Sequence, residues 1–100
     1  MRVIQNTSFI IGPSFEKEWY TFMKEEYIPS IDQLDLCEDI IFTRVSIDQP
    51  EGKTYSLQLV FPNQTALDRY AALYMDGIDA VLIKKFSGKY LCFNSILSEV

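Results

Sequence analysis

"TYSLQLVF", residues 54–61, alternates: Tyr55, Leu57, Leu59 and Phe61 fall on one side of an extended chain, and Thr54, Ser56, Gln58 and Val60 on the other. Such a strand has one face in a core and one face open, as in an antiparallel sheet. The stretch before it, "EDIIFTRVSID" (38–48), is rich in β-branched and aromatic residues, and "QPEGK" between them carries Pro50 and Gly52. Strand, turn, strand predicts a hairpin.

An amphipathic stretch lies on each side of the hairpin. In "SFEKEWYTFMKEEYI" (14–28), Phe15, Trp19, Phe22 and Met23 mark one face of a helix. Ser14 is its expected N-cap, Glu16 suits the positive end of the helix dipole, and Pro29 is expected to end or kink the helix near Ile28. In "TALDRYAALYMDGIDAVLIKKF" (65–86), Leu67, Ala71, Tyr74, Ile78 and Leu82 form the expected apolar stripe. Thr65 and Asp68 resemble a capping box, and Gly77, inside the stretch, costs about 1 kcal/mol relative to Ala.

"RVIQNTSFII" (2–11), stopped by Gly12-Pro13, and "KYLCFNSILSEV" (89–100) complete a β-α-β-β-α-β order. Two right-handed crossovers then predict an α+β, ferredoxin-like domain over residues 1–100: a four-stranded antiparallel sheet in the order 4-1-3-2 with two helices on one face. The second and fourth strands are then opposite edges, roughly 14 Å apart. Cys37 and Cys92 lie on those edges, beyond the ~7 Å a disulfide allows, and are read as reduced structural thiols.

The uncovered face is expected to carry Ile4, Asn6, Ser8 and Ile10 of the first strand, Phe42 and Arg44 of the second, Ser56, Gln58 and Val60 of the third, and Cys92, Asn94 and Ile96 of the fourth. A one-residue slip would exchange any of these sets for its complement. An apolar surface dotted with amides suits packing against the same face of a second chain. A homodimer enclosing a partly polar cavity fits this composition and is expected by analogy with other proteins of this architecture.

Composition removes many chemistries. There is no histidine among the 100 residues, which excludes Ser-His-Asp and Cys-His nucleophile systems and His-ligated haem. Net charge is −5 and the basic residues are scattered, so no nucleic-acid partner is expected. The acids in "KEEY" and "DLCED" lack metal-site spacing, so neither a metal nor a cofactor is expected. No stretch reaches the ~20 apolar residues of a membrane helix, and "MRVIQNTSF" has no long apolar run, so no membrane and no signal peptide are expected and the location read is cytoplasmic.

"EWYTFMKEEYIP", "GKTYSLQLVF", "LDRYAALY" and "KKFSGKYLCFNSILSEV" resemble, in order and spacing, the bacterial family called domain of unknown function 4286. The family is similar in architecture to the dimeric α/β barrels, which include small monooxygenases and isomerases. The resemblance implies the fold and a dimer, and no established activity. The chain departs from the family pattern, in which His often stands at the place of Tyr27 and Arg near that of Asn94.

The candidate pocket residues are Glu26, Tyr27, Arg44, Gln58 and Asn94. At a period of 3.6, Glu26 falls on the inward side with Trp19 and Phe22, where an unpaired carboxylate is costly. It is expected to reach water, to meet a partner such as Arg44, or to serve as a pocket acid beside Tyr27. Arg44, in an otherwise apolar strand, is read either as an edge charge or as a bidentate clamp for an anion. The expected function is a dimeric small-molecule-binding or structural module without catalysis. The alternative is a cofactor-free dimeric-barrel enzyme acting on a small aromatic compound.

Overall fold

The computed structural model describes residues 1–46 and 52–100. Its elements are β1 (Val3–Ile11), a 3-10 turn (Pro13–Phe15), α1 (Glu16–Phe22), a π-helical turn (Met23–Tyr27), α2 (Ile28–Asp32), β2 (Asp39–Arg44), β3 (Lys53–Phe61), α3 (Gln64–Leu73), α4 (Met75–Phe86) and β4 (Tyr90–Ser98). The strands form one four-stranded antiparallel sheet in the order β2-β3-β1-β4, which is 4-1-3-2 when counted from the β4 edge. The turn expected around Pro50 falls largely on residues 47–51, outside the described residues.

Burial assigns the faces. Val3, Gln5, Thr7, Phe9 and Ile11 of β1 are buried, with Tyr55, Leu57, Leu59 and Phe61 of β3 beside them. Ile4, Asn6, Ser8 and Ile10 point to the open side, as expected. The edge strands are one residue out of step with the reading from sequence. Phe42 pairs with Leu57 and Arg44 with Tyr55, while Cys92 pairs with Phe9 and Asn94 with Thr7. Phe42, Arg44, Cys92, Asn94 and Ile96 therefore lie on the helix side. The open side instead carries Ile41 and Thr43 of β2 and Leu91, Phe93, Ser95 and Leu97 of β4. The reason is physical: an edge strand is paired on one flank only and these two are largely exposed on both faces, so their own alternation does not reveal which side faces inward.

Helical cover comes from three rods rather than two. The first does not stop at Pro29 but runs on to Asp32 through the π turn, where the Ile28 amide donates to the Met23 carbonyl, five residues back. Pro29 has no amide hydrogen, and in an α-helix its ring would crowd the Glu25 carbonyl four residues earlier. The widened turn relieves that crowding, and the Ser30 hydroxyl donates to the Glu26 carbonyl at 2.6 Å. The turn also absorbs one extra residue. Met23, Tyr27 and Ile31 face inward while Glu26 is exposed, which overturns the inward phase read for Glu26 and leaves it reaching water, one of the outcomes expected for it.

The second stretch breaks at Tyr74 (φ −127°, ψ −33°), so α3 and α4 are separate rods. Asn63, rather than Thr65, caps α3, accepting from the Ala66 amide at 2.9 Å. The break turns α4 so that Met75, Ile78, Leu82 and Phe86 meet the core. Positions 75, 79, 82 and 86 follow a four-three-four spacing, and the remaining place in it belongs to Asp79.

Trp19 ties the first rod to three strands. Its ring lies 5.3 Å from Phe9, 5.0 Å from Tyr55 and 5.9 Å from Phe42, in tilted pairs. Each pair adds roughly 0.5–1.5 kcal/mol beyond simple burial. Trp19, Phe22 and Met23 are core, as the helical spacing predicts.

Two glycines have opposite tolerance. At Gly52 (φ +145°), an added Cβ would sit 1.8 Å from the Ile11 carbonyl oxygen, whereas at Gly77 it would meet nothing within 4 Å. Gly52→Ala is expected to destabilise the fold by several kcal/mol, or to prevent folding, because backbone must move. Gly77→Ala is expected to stabilise it by about 0.5–1 kcal/mol. Urea unfolding of both variants checks the pair.

Candidate functional site

Between α4, the π turn and the β1–β4 half of the sheet lies a cavity of about 70 Å³, lined by Gln5, Thr7, Phe9, Tyr27, Asp79, Leu82, Ile83, Tyr90, Cys92 and Asn94. Strand alternation brings Gln5 and Thr7 of β1 beneath the helices, both buried. The neighbouring strand adds Tyr90, Cys92 and Asn94. The π turn delivers Tyr27 and α4 delivers Asp79. The Tyr27 hydroxyl donates to Asp79 Oδ1 at 2.6 Å. The Thr7 hydroxyl donates to Asn94 Oδ1. Buried polar groups are costly unless hydrogen-bonded, so these two part-buried pairs, with Thr7 and Tyr27 buried, Asp79 half-buried and Asn94 exposed at the rim, mark the place.

The charge of Asp79 organises this neighbourhood. Burial raises the carboxyl above its ordinary value, partly offset by the Tyr27 hydrogen bond, with Asp76 adding a further rise. Burial also pushes the Tyr27 hydroxyl well up, and Asp79 reinforces the shift. Tyr70, Tyr90 and the Cys92 thiol are likewise raised by burial, with the Asp79 charge among the further causes. Each of these groups thus holds its proton around one carboxylate.

Of the five candidates read from sequence, only Tyr27 and Asn94 line this cavity. Glu26 stands outside it, 3.8 Å from Lys85 in an exposed ion pair that contributes at most about 1 kcal/mol. With Tyr27 it borders a surface groove of about 430 Å³ between the first rod and α4. The groove is the larger space, but Glu26 and Val81 in its walls are exposed to water. The smaller cavity holds the buried Gln5, Thr7 and Tyr27 and the half-buried Asp79, and is the better chemical site. Arg44 is on the far edge strand, three strand spacings or roughly 14 Å away, with Nε 3.8 Å from Glu16. There the Tyr55 hydroxyl donates to Glu16 at 2.7 Å and its pKa is pushed up to about 12, chiefly by burial. Gln58 lies on the open face of the sheet.

Sequence reading missed Asp79, Thr7 and Gln5. The signal for Thr7 and Gln5 was present: they interrupt the core-facing set of β1. Asp79 was hidden by the break at Tyr74, since an unbroken helix puts Ile78 rather than Asp79 in phase with Leu67 and Ala71. Among the described residues no three Cys, Asp or Glu side chains gather as a metal site requires, and no helix is long and apolar enough to cross a membrane.

The family model described as "Domain of unknown function (DUF4286)" matches residues 2–100, and the chain belongs to that family. No curated protein matches it. Among solved structures, a dimeric ferredoxin-like protein from an uncultured marine organism is similar with a TM-score of 0.73 and 11% identity, covering 99% of this chain and 97% of that one. An EthD family protein from Bacillus halodurans gives 0.72 and 15%, covering 98% and 99%. A NIPSNAP family protein from Agrobacterium tumefaciens gives 0.68 and 16%, covering 100% and 94%. At these identities the likeness establishes the ferredoxin-like fold.

A raised carboxyl has a definite effect on stability. The folded state holds the Asp79 proton more tightly than the unfolded state, so ionisation favours unfolding. The cost is absent below the unfolded value near pH 4 and is complete above the folded one. Asp79→Asn, which keeps an oxygen for Tyr27, is expected to raise Tm at pH 7, with the gain fading below about pH 4. Thermal melts of both proteins across that range check the sign.

Proposed function

We propose that this member of the DUF4286 family is a homodimeric small-molecule-binding module, one ferredoxin-like domain over residues 1–100, acting by binding rather than by catalysis. The observation that carries the reading is the polar group Thr7, Tyr27, Asp79 and Asn94 around a cavity in an otherwise apolar core. The module's site residues are Thr7, Tyr27, Asp79 and Asn94. Glu26, Arg44 and Gln58 are not part of this site. A cytoplasmic location suits the two free thiols, which would stay reduced there.

The dimer is supported by the sheet's open face. Phe93 is 60% and Leu91 55% exposed, and with Ile4, Ile10 and Leu97 they form an apolar field around Asn6, Ser8, Ser56 and Gln58. The Ser56 hydroxyl donates to Asn6 at 2.9 Å, so part of the polar centre is already satisfied within the chain and can be covered at lower cost. A neighbour of the same fold is described as dimeric.

A cofactor-free enzyme is the second reading, favoured by the Tyr27–Asp79 hydrogen bond beside the cavity. The cavity of about 70 Å³ is far below the ~300 Å³ of sites that enclose a whole aromatic substrate, which favours the binding module.

Light scattering is expected to give twice the chain mass of 11.6 kDa for the wild type, and the single-chain mass for Phe93→Lys, which would bury a charge at the dimer interface. A monomeric wild type would remove the dimer from the proposal. A fragment screen by NMR, reading the side-chain amides of Gln5 and Asn94, tests the binding reading itself. Hits that move these signals support it, and an unresponsive cavity in a folded dimer would leave a purely structural module.

A further inference from the structure

Resting on the cavity reading above, we infer that the ligand enters the Asp79 cavity as a small primary ammonium group carried on an apolar body. Asp79 is half-buried, and among the described residues its hydrogen bond comes from Tyr27 and no lysine or arginine pairs with it. The cavity lining likewise contains no lysine or arginine. A desolvated carboxylate without a cation is a standing cost that a cationic ligand removes and an anionic one worsens.

The other walls suit the same group. An ammonium has three hydrogens to donate and no acceptor of its own. Acceptor oxygens are supplied by Asp79, by Asn94 and Gln5, and by Thr7, whose own hydrogen goes to Asn94. Phe9, Tyr27 and Tyr90 supply ring surface, which attracts a desolvated cation. The hydroxyls of Tyr27, Tyr70 and Tyr90 and the Cys92 thiol are raised chiefly by burial, and the Asp79 charge adds to each shift, as it would favour a cation there.

Size sets the rest. About 70 Å³ is room for roughly two waters, at ~30 Å³ each, and so for an aminomethyl head rather than a whole metabolite. The rim is exposed at Ile83, Cys92 and Asn94, with Ile96 on the same side of β4. A ligand's remaining carbons would lie across Ile83 and Ile96, 54% and 53% exposed.

The experiment is an NMR titration of the wild type at pH 7 and fixed ionic strength with three probes of similar size: ethylammonium chloride, ethanol and sodium propionate. Ethylammonium is expected to shift the Gln5 and Asn94 side-chain amides saturably, at least tenfold more tightly than either other probe. Asp79→Asn is expected to lose that preference. If ethanol or propionate binds as well as ethylammonium, or Asp79→Asn keeps the preference, the charge assignment is overturned while the cavity reading stands. If no probe moves the cavity signals, the cavity reading falls and this inference falls with it. Should Asp79→Asn fail to fold, the ranking of the three probes on the wild type decides alone.

Discussion

Pro29 sets the geometry on which the site depends. A proline inside a helix removes one amide donor and crowds the carbonyl four residues before it. Here the chain answers with a π turn over Met23–Tyr27 rather than by ending the helix. That one extra residue decides which side chains enter the core. Without it Glu26 would follow Trp19 and Phe22 inward; with it Tyr27 and Ile31 are buried and Glu26 is left in water. π turns in helices frequently mark functional positions, and this one ends on the residue that bonds Asp79.

The site is then a consequence of which polar groups lost their water. The groove between the rods is larger, yet Glu26 there stays hydrated and gains little from Lys85. The small cavity has fewer atoms to offer and more electrostatic consequence, because Gln5, Thr7 and Tyr27 are buried in it and Asp79 is half-buried, with Ile83, Cys92 and Asn94 forming its open rim. Asp79, sited by the break at Tyr74, is its charged centre, and Tyr27, sited by the π turn, is the donor that keeps the charge tolerable. Two irregularities in the helices thus meet at one hydrogen bond.

How much of this was legible in the sequence follows from the same physics. Alternation in residues 54–61 is read correctly because β3 is flanked on both sides and buried on one face. The order of elements, the sheet and the Trp19 face follow from patterns that packing enforces. The edge strands do not: burial of β4 is nearly uniform along its length, so its own residues carry no phase, and Asn94 was assigned to the wrong side. Helical phase survives only while the turn stays at 3.6 residues, and it fails at Met23–Tyr27 and at Tyr74. Pro29, which accompanies the widened turn, is visible in the sequence and predicts an end or a kink, but not the one-residue shift of phase. The sequence marks Asn94 as polar but places it on the open face, and marks Tyr27 by its place beside Glu26 and not by its own burial.

The inward register of Tyr27 is the central claim, and stability measures it directly. Glu26→Ala and Tyr27→Ala should be unfolded in urea side by side. Glu26→Ala is expected to change stability within about 0.5 kcal/mol, and Tyr27→Ala to lose about 3–5 kcal/mol. A large loss at Glu26 with little change at Tyr27 would contradict it, because the helix would then keep a regular period through Pro29 and Tyr27 would not reach Asp79.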